Sequence, residues 1–177
     1  PSLQGLDQNQ RVIYLGSFSK SFMPSMRLSY MVLPDKLLTI YEKNYTIYEQ
    51  PVPRIIQKAF ELFISEGHWD KHLKRSRVFY KKKQEILLEA IHKYFGNKIK
   101  VIGADSGLHI LIEVDTSYSE TKLIDLAKEH SIKVNPTSHF WMEKPTNNKP
   151  IIFMGFAGIP TEDIVAGVKK LHKAWFD

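Results

Sequence analysis

The sequence contains no cysteine and no apolar run long enough to cross a bilayer. Without cysteine, disulfides and cysteine-based metal or redox chemistry are excluded. No signal peptide opens the chain, so we predict a cytoplasmic location. Proline and glycine are also absent between Gly67 and Gly96, which predicts one long helix over residues 68–95.

The rest of the composition is that of an ordinary folded protein. The chain has 177 residues, of which 43% are hydrophobic, enough to bury a core in one domain or in two small ones. The formal net charge is +6, and much of the excess falls between Lys71 and Lys83 on the predicted long helix. We interpret this run as a solvated or subunit-facing helix surface, with contact to nucleic-acid phosphates as the alternative.

The order of strand and helix patterns predicts an α/β fold. Polar residues 1–10 are predicted as a loop, and two β-rich runs, 11–15 and 27–33, then flank a second polar loop. Asp35 can cap the helix that follows. The remaining predicted elements are a helix over 55–63, strands at 98–102, 108–114, 132–134 and 151–156, and helices that begin after Ser119 and at Thr161.

The segment GSFSK at residues 16–20 carries the strongest chemical signal. Its lysine, Lys20, suits a Schiff base, because the preceding strand holds it and partial desolvation eases deprotonation of its amine. Ser17 and Ser19 can donate their hydroxyls to a phosphate, and Arg27 can offer its guanidinium fork to the same dianion. One loop could therefore supply a covalent anchor and a phosphate site.

The stretch YLGSFSKSFMPSMRLSYMVLP, residues 14–34, resembles the pyridoxal-phosphate (PLP) lysine region of fold-type-I aminotransferases, and especially that of the MocR/GabR family of transcription regulators. In that family a strand leads into Ser-x-Ser-Lys or Thr-x-Ser-Lys, then a proline, an arginine and a strand ending in Leu-Pro. Lys20 and Arg27 have the family spacing. The resemblance covers essentially the whole chain, with further matches at Gln57, Phe63, Gly67, His72, Arg75, Arg77, Tyr80, Ser106-Gly-Leu-His109 and Met154-Gly-Phe156.

The resemblance implies a fold: an α/β structure that is the C-terminal part of a PLP-dependent transferase of fold type I. Residues 1–67 would be the end of the PLP-binding large domain. Residues 68–97 would be a long connecting helix, and residues 98–177 a small C-terminal α/β domain. The family's groups for the pyridine nitrogen, the ring face and the phenolic oxygen would precede Pro1.

The resemblance also implies the roles of the loop residues. The family's lysine forms the internal aldimine with PLP, and its arginine binds the cofactor's phosphate. Lys20 would therefore be the Schiff-base lysine, and Ser17, Ser19 and Arg27 would join it in binding the cofactor. No metal is implied.

The implied function is that of the effector-sensing half of a GntR/MocR-type transcription regulator. Such a protein would be a homodimer that binds DNA through a winged helix-turn-helix domain not present in this chain. Its effector would be an amino acid or PLP itself. The alternative is a PLP-dependent class I/II aminotransferase acting on an amino acid, in which Lys20 also serves as general base. A scaffold that has lost the cofactor is a third possibility.

One departure from the family favours the regulator or the scaffold over the enzyme. Many aminotransferases and many MocR members carry an arginine just before a Leu-Gly-Phe type strand, where it grips a substrate carboxylate. That place falls near Phe153 here, and no arginine follows Arg77. A bidentate carboxylate clamp is therefore not expected. The aromatic loop from His139 to Trp141 could line a pocket instead, although surface packing is the simpler interpretation.

The other histidine patterns are predicted to be structural. His109 interrupts an apolar strand, which is typical of a core or interface histidine. His68 and His72 have the i, i+4 spacing of metal-binding pairs, but no third ligand follows them. No metal site is therefore predicted.

Overall fold

The computed structural model describes residues 1–45, 47, 51–105, 107–143 and 149–177. The helices in these ranges are Leu3–Leu6 (α1), Asp35–Tyr45 (α2), Arg54–Ser65 (α3), His68–Phe95 (α4), Glu120–Glu129 (α5) and Thr161–Phe176 (α6). The strands are Tyr14–Ser17 (β1), Ser29–Val32 (β2), Ile99–Ile102 (β3), His109–Val114 (β4), Asn135–Pro136 (β5) and Ile151–Gly155 (β6). The chain divides into two compact units, Pro1–Lys74 and Arg75–Asp177, and the boundary falls within α4.

The first unit is built around an antiparallel hairpin. Strands β1 and β2 pair with Tyr14 opposite Val32 and Ser17 opposite Ser29. Most side chains of both strands are exposed. Among the described residues of this unit, Pro34 and Phe60 are the buried ones. A hairpin of this kind is marginally stable without further strands or a packed face. The loop between its strands packs against aromatic rings of α3 and α4.

The second unit has a complete two-layer core. Its described strands form an antiparallel sheet in the order β3-β4-β6-β5. Strand β4 alternates, because successive side chains of a strand point to opposite faces: Ile110, Ile112 and Val114 are fully buried, while His109 and the residues between them are half-buried. Helices α5, α6 and the end of α4 supply most of the rest of the buried cluster: Leu87, Ala90, Ile91, Phe95, Leu123, Ala127, Ile164, Val168, Leu171, Ala174 and Trp175.

Local signals explain the helix positions in this unit. Ser119 precedes α5, and its Oγ accepts a hydrogen bond from the Lys122 amide at 3.2 Å, which confirms the predicted cap. The predicted long helix is confirmed as α4, with Gly96 at a positive φ of 53° directly after it. The Trp175 indole donates to the Leu123 carbonyl at 2.8 Å, so α6 is tied to α5 by a buried polar contact.

Three sequence-based predictions of local structure are wrong. Residues 1–10 contain the short helix α1, capped by the Ser2 hydroxyl. Asp35 lies inside the first turn of α2, and the Pro34 carbonyl before it accepts the first helical amides. The predicted strand at 132–134 does not pair in the sheet, because the Ile132 amide bonds to the Ala127 carbonyl at the end of α5. The ladder begins instead at Asn135.

The lysine-rich face of α4 is also not uniformly solvated. Lys83 is only 5% exposed. Its ammonium donates to the carbonyls of Ala157 and Ile159, at 2.8 and 2.6 Å, and lies over the Phe79 ring. A buried lysine is tolerated when its donors are satisfied, and these carbonyls satisfy it. The other lysines between Lys71 and Lys82 are half-buried or exposed.

Candidate functional site

The last residue of β1 and the loop between β1 and β2 together contain all four predicted site residues. The ladder ends at the pair Ser17 and Ser29, and the Phe18 amide bonds to the Leu28 carbonyl at 3.1 Å. The loop therefore leaves and re-enters the hairpin at one end, and Lys20 and Arg27 lie within it. Near its start, the Phe22 amide bonds to the Phe18 carbonyl at 2.8 Å, which closes a turn with Lys20 at its centre.

Two phenylalanines anchor this turn. Phe18 and Phe22 lie two residues before and after Lys20 and insert into one aromatic cluster. The Phe18 ring lies 4.5 Å from the ring of Phe60, and the Phe22 ring lies 4.9 Å from that of Phe63. Trp69 contacts both phenylalanines of the loop. The exposed lysine thus lies at the centre of a turn whose two ends are half-buried in the aromatic cluster. Sequence analysis missed this role, although the symmetric F-S-K-S-F pattern could have indicated it.

The two serines are held by hydrogen bonds to each other, and Arg27 has an unusual backbone conformation. The Ser17 hydroxyl donates to the Ser19 hydroxyl at 3.1 Å and accepts from the Ser19 amide at 3.3 Å, so the two hydroxyls are neighbours. Arg27 ends a short 3-10 turn, Pro24–Met26, in the left-handed conformation with φ 51°. A residue other than glycine is uncommon there and is found disproportionately at functional sites.

Gly16 lies in β1, one residue before the end of the strand that leads into the loop. A Cβ at this position would collide with the ring of Tyr30, the residue opposite it in the ladder. The Tyr30 ring in turn contacts Phe18 at 5.2 Å and Tyr14 at 5.8 Å. A hydrogen bond with Tyr14, with lesser contributions from desolvation and Coulombic interaction, raises the pKa of Tyr30. The glycine therefore allows an aromatic layer to form at the base of the Lys20 loop.

The charged groups of the loop are available for a ligand. Lys20, Ser17 and Arg27 are exposed, and Ser19 is half-buried. Within the part of the chain that the structure describes, neither Lys20 nor Arg27 forms an ion pair. A nearby groove of about 500 Å³, lined by Phe18, Tyr30 and Phe60 among others, includes none of the four predicted residues in its lining.

The second unit carries an aromatic face at the place where a clamp arginine was considered. The His109 ring stacks on Phe153 at 4.5 Å with an interplanar angle of 19°, on the side of the sheet opposite the core. Phe140 lies 6.4 Å from Phe153 and is 74% exposed. His109 is therefore a stacked surface residue of the sheet and not a core residue. Ser106 lies outside the described residues.

Glu120 fixes the turn that carries Phe140. Its carboxylate accepts hydrogen bonds from the amides of Thr137 and Ser138, at 2.6 and 3.1 Å, and from the Thr137 hydroxyl at 3.2 Å. Burial raises the pKa of Glu120, but the hydrogen bonds from Ser138 and Thr137 together outweigh burial and leave the pKa below its usual value. The aromatic turn is therefore held by a charged anchor.

His68 and His72, which have the i, i+4 spacing of a metal-binding pair, each have a separate partner. His68 contacts the Glu66 carboxylate at 3.1 Å, while His72 contacts the Ser21 carbonyl at 2.9 Å. No cluster of metal-binding side chains forms among the residues described. In the same ranges, no helix is both long and apolar enough to span a membrane.

Comparison with known proteins places this geometry in context. No family model matches the chain. The chain is 43% identical over 175 residues to the HTH-type transcriptional regulator YdeL of Bacillus subtilis, which covers 99% of this chain and 37% of that protein. It is 26% identical over 175 residues to the probable rhizopine catabolism regulatory protein MocR of Rhizobium meliloti, covering 99% of this chain and 35% of the relative. The chain thus spans little more than a third of the length of these regulators.

Solved structures match the fold. The kynurenine aminotransferase of Pyrococcus horikoshii, solved in complex with PMP, KYN and KYA, superposes with a TM-score of 0.84 at 23% identity. The match covers 97% of this chain and 42% of the aminotransferase. The predicted resemblance to regulators and to aminotransferases is therefore confirmed, and so is the predicted fold class.

Proposed function

From the premise that the chain has the fold of the C-terminal part of a PLP-dependent transferase of fold type I, we propose that it is the effector-sensing half of a GntR/MocR-type transcription regulator. The observation that carries this proposal is the contrast in similarity. The chain is 43% identical to a regulator over 175 residues but 23% identical to the aminotransferase of matching fold. The whole protein would bind DNA through a winged helix-turn-helix domain outside this chain.

The loop residues have the chemistry that PLP requires. The Lys20 amine would attach the cofactor's aldehyde, with loss of water. The adjacent hydroxyls of Ser17 and Ser19 and the guanidinium of Arg27 would bind its phosphate as charge-assisted donors. When bound, PLP supplies an electrophilic carbonyl and an electron-withdrawing ring. Neither cation forms an ion pair within the described ranges, and the two hydroxyls are neighbours, which supports this assignment. PLP is accordingly the proposed cofactor.

The domain organisation follows from the same proposal. Residues 1–67 would complete the PLP-binding large domain, residues 68–97 would connect the two domains, and residues 98–177 would form the small domain. The regulator would act as a homodimer in the cytoplasm. Its effector would be an amino acid or PLP, and effector binding at Lys20 would change its affinity for DNA.

An aminotransferase acting on an amino acid is the second candidate. The structural likeness to a kynurenine aminotransferase favours it, and Lys20 would then also move the proton as general base. The aromatic face at Phe153 argues against the clamp that many such enzymes use. No arginine follows Arg77, so residues 78–177 supply no guanidinium that could hold a carboxylate in a bidentate pair.

The test is made on the full-length protein. PLP is added, the complex is reduced with borohydride, and the modified peptide is mapped by mass spectrometry. We expect a phosphopyridoxyl group on Lys20, and none in Lys20→Ala. Lys36→Ala, which removes an exposed lysine of α2, is the matched control and should keep the adduct.

Two further measurements separate the candidates. A regulator changes its DNA affinity in a mobility-shift assay when PLP or an amino acid is added, and shows no transamination. An aminotransferase converts an amino acid to its keto acid in multiple turnovers. A soluble, folded protein that yields no adduct on Lys20 would contradict both candidates and leave the scaffold.

A further inference from the structure

One polar contact reaches the Lys20 turn from a distant part of the chain. The His72 imidazole, in the second turn of α4, lies with Nε2 2.9 Å from the carbonyl oxygen of Ser21. Ser21 directly follows Lys20 in sequence. Because a carbonyl only accepts, Nε2 must be the donor in this contact. His72 lies outside the four residues proposed to bind the cofactor.

The contact has a particular place in the turn. The Phe22 amide already closes the turn onto the Phe18 carbonyl, and the rings of both phenylalanines lie in the aromatic cluster. These contacts restrain the two ends. The peptide between Lys20 and Phe22 is restrained by His72, which also packs against Phe22 with ring centroids 5.3 Å apart.

We infer that His72 is a positioning residue: it holds the peptide that follows Lys20 and so sets the direction in which the lysine leaves the backbone. The inference depends on the proposed role of Lys20. A lysine side chain has several rotatable bonds, and a reactive group must be held close to its productive geometry by its supporting contacts. Since Lys20 is exposed and has no ion-pair partner among the described residues, its backbone has to provide that control.

The surroundings of His72 are consistent with a dedicated donor. Its ring lies among Phe22, Phe63 and Trp69, with centroids 5.3, 6.4 and 6.1 Å away. A phenylalanine would satisfy this packing equally well. The imidazole is therefore explained by the Ser21 carbonyl and not by packing alone.

The experiment measures PLP affinity and the absorption spectrum of bound PLP in the full-length protein and its variants. His72→Phe keeps an aromatic ring but removes the donor, and we expect PLP to bind about five- to tenfold more weakly, the usual effect of losing one hydrogen bond. The spectrum should also shift, because the lysine no longer holds the cofactor in one orientation. A purely structural role would lower the unfolding midpoint without changing the spectrum.

A matched pair of variants separates the effect of the hydrogen-bond donor from the effect of the aromatic ring. The amide of His72→Gln can extend as far as the imidazole Nε2 and should restore affinity and spectrum, whereas His72→Asn is one methylene shorter and should not. This pair decides the question even where His72→Phe fails to fold. His68→Phe, one turn earlier on the same helix, removes a histidine bound to Glu66 and should bind PLP like the wild type.

The outcomes are distinct for the two proposals. A wild-type protein that carries no adduct on Lys20 contradicts the proposed function. A wild-type protein that carries the adduct, with His72→Phe and His72→Asn equal to it in affinity and spectrum, overturns the positioning role and leaves the function intact.

Discussion

The two units bury their apolar residues in different ways. In Arg75–Asp177, alternate residues of β4 and one side each of α5 and α6 meet in one buried cluster. In Pro1–Lys74, the hairpin leaves Leu15 72% exposed and Met31 48% exposed, and the densest packing is the aromatic cluster beneath the Lys20 turn. The second unit has the core of an independent domain, whereas the first has a candidate site on a partial framework.

This difference explains why the turn around Lys20 needs so many local restraints. The hairpin cannot rely on a buried sheet within this unit, so the turn is fixed by Phe18, Phe22 and His72 instead. A site is precise only when the residues that support it are themselves locked by packing and hydrogen bonds. The aromatic cluster supplies that support locally.

The largest expected effect comes from separating the units. A fragment of residues 75–177 should unfold cooperatively in urea, because its core is complete. A fragment of residues 1–74 should show no cooperative transition and should associate, since exposed strands with apolar side chains invite pairing between chains. Circular dichroism would follow the unfolding of each fragment, and sedimentation would measure its association. Cooperative unfolding of a monomeric 1–74 fragment would show that the first unit also folds independently.

The next largest effect comes from truncating matched apolar residues in the two units. Ile112 is fully buried in β4, and Ile112→Ala should lower the free energy of unfolding by roughly 2–5 kcal/mol. Leu15 lies in β1 and is largely exposed. Leu15→Ala should therefore change the free energy of unfolding by less than about 0.5 kcal/mol. Urea denaturation of the 177-residue chain gives both values. Equal losses would show that the hairpin is packed in solution.

Loss of the buried lysine should have an intermediate effect. Lys83→Met keeps the apolar stem but removes the ammonium, leaving the carbonyls of Ala157 and Ile159 without their donor. An unsatisfied buried polar group costs about 1–3 kcal/mol, so a loss of this size in the free energy of unfolding is expected. Lys82→Met, at the exposed neighbouring position, is the control and should be close to neutral. A stabilised Lys83→Met would mean that burial of the charge outweighs its two hydrogen bonds.

The smallest effect concerns Glu120 and depends on pH. Its pKa is lowered in the folded chain, so the charged carboxylate stabilises the fold above the usual carboxyl pKa, and this stabilisation is lost as the pH falls through the lowered pKa. Glu120→Gln should therefore cost about 1 kcal/mol near neutral pH and less in acid. Urea titrations at a series of pH values would measure this. Glu162→Gln, at an exposed position of α6, is the control for the loss of a carboxylate as such.

Much of the architecture could be predicted from short patterns. Helix α4 follows from 28 residues without proline or glycine, and α5 from the cap at Ser119. The prediction failed where a local pattern was ambiguous. Residues 132–134 are apolar and β-prone, but the Ile132 amide is taken by the end of α5, so the strand begins at Asn135. An apolar, β-prone pattern does not show that a neighbouring helix end has already taken the backbone amide.

Ser17, Ser19, Lys20 and Arg27 could be grouped from the sequence, because they are close in the chain and residue type fixes their chemistry. How the loop that follows Ser17 is held depends on tertiary packing. Phe18 and Phe22 meet Phe60 and Phe63, and His72 reaches Ser21 across 51 residues. The same holds for Lys83, a lysine in a lysine-rich run that becomes buried because two distant carbonyls lie beside it. Residue type sets what a side chain can do, and packing sets which partner it finds.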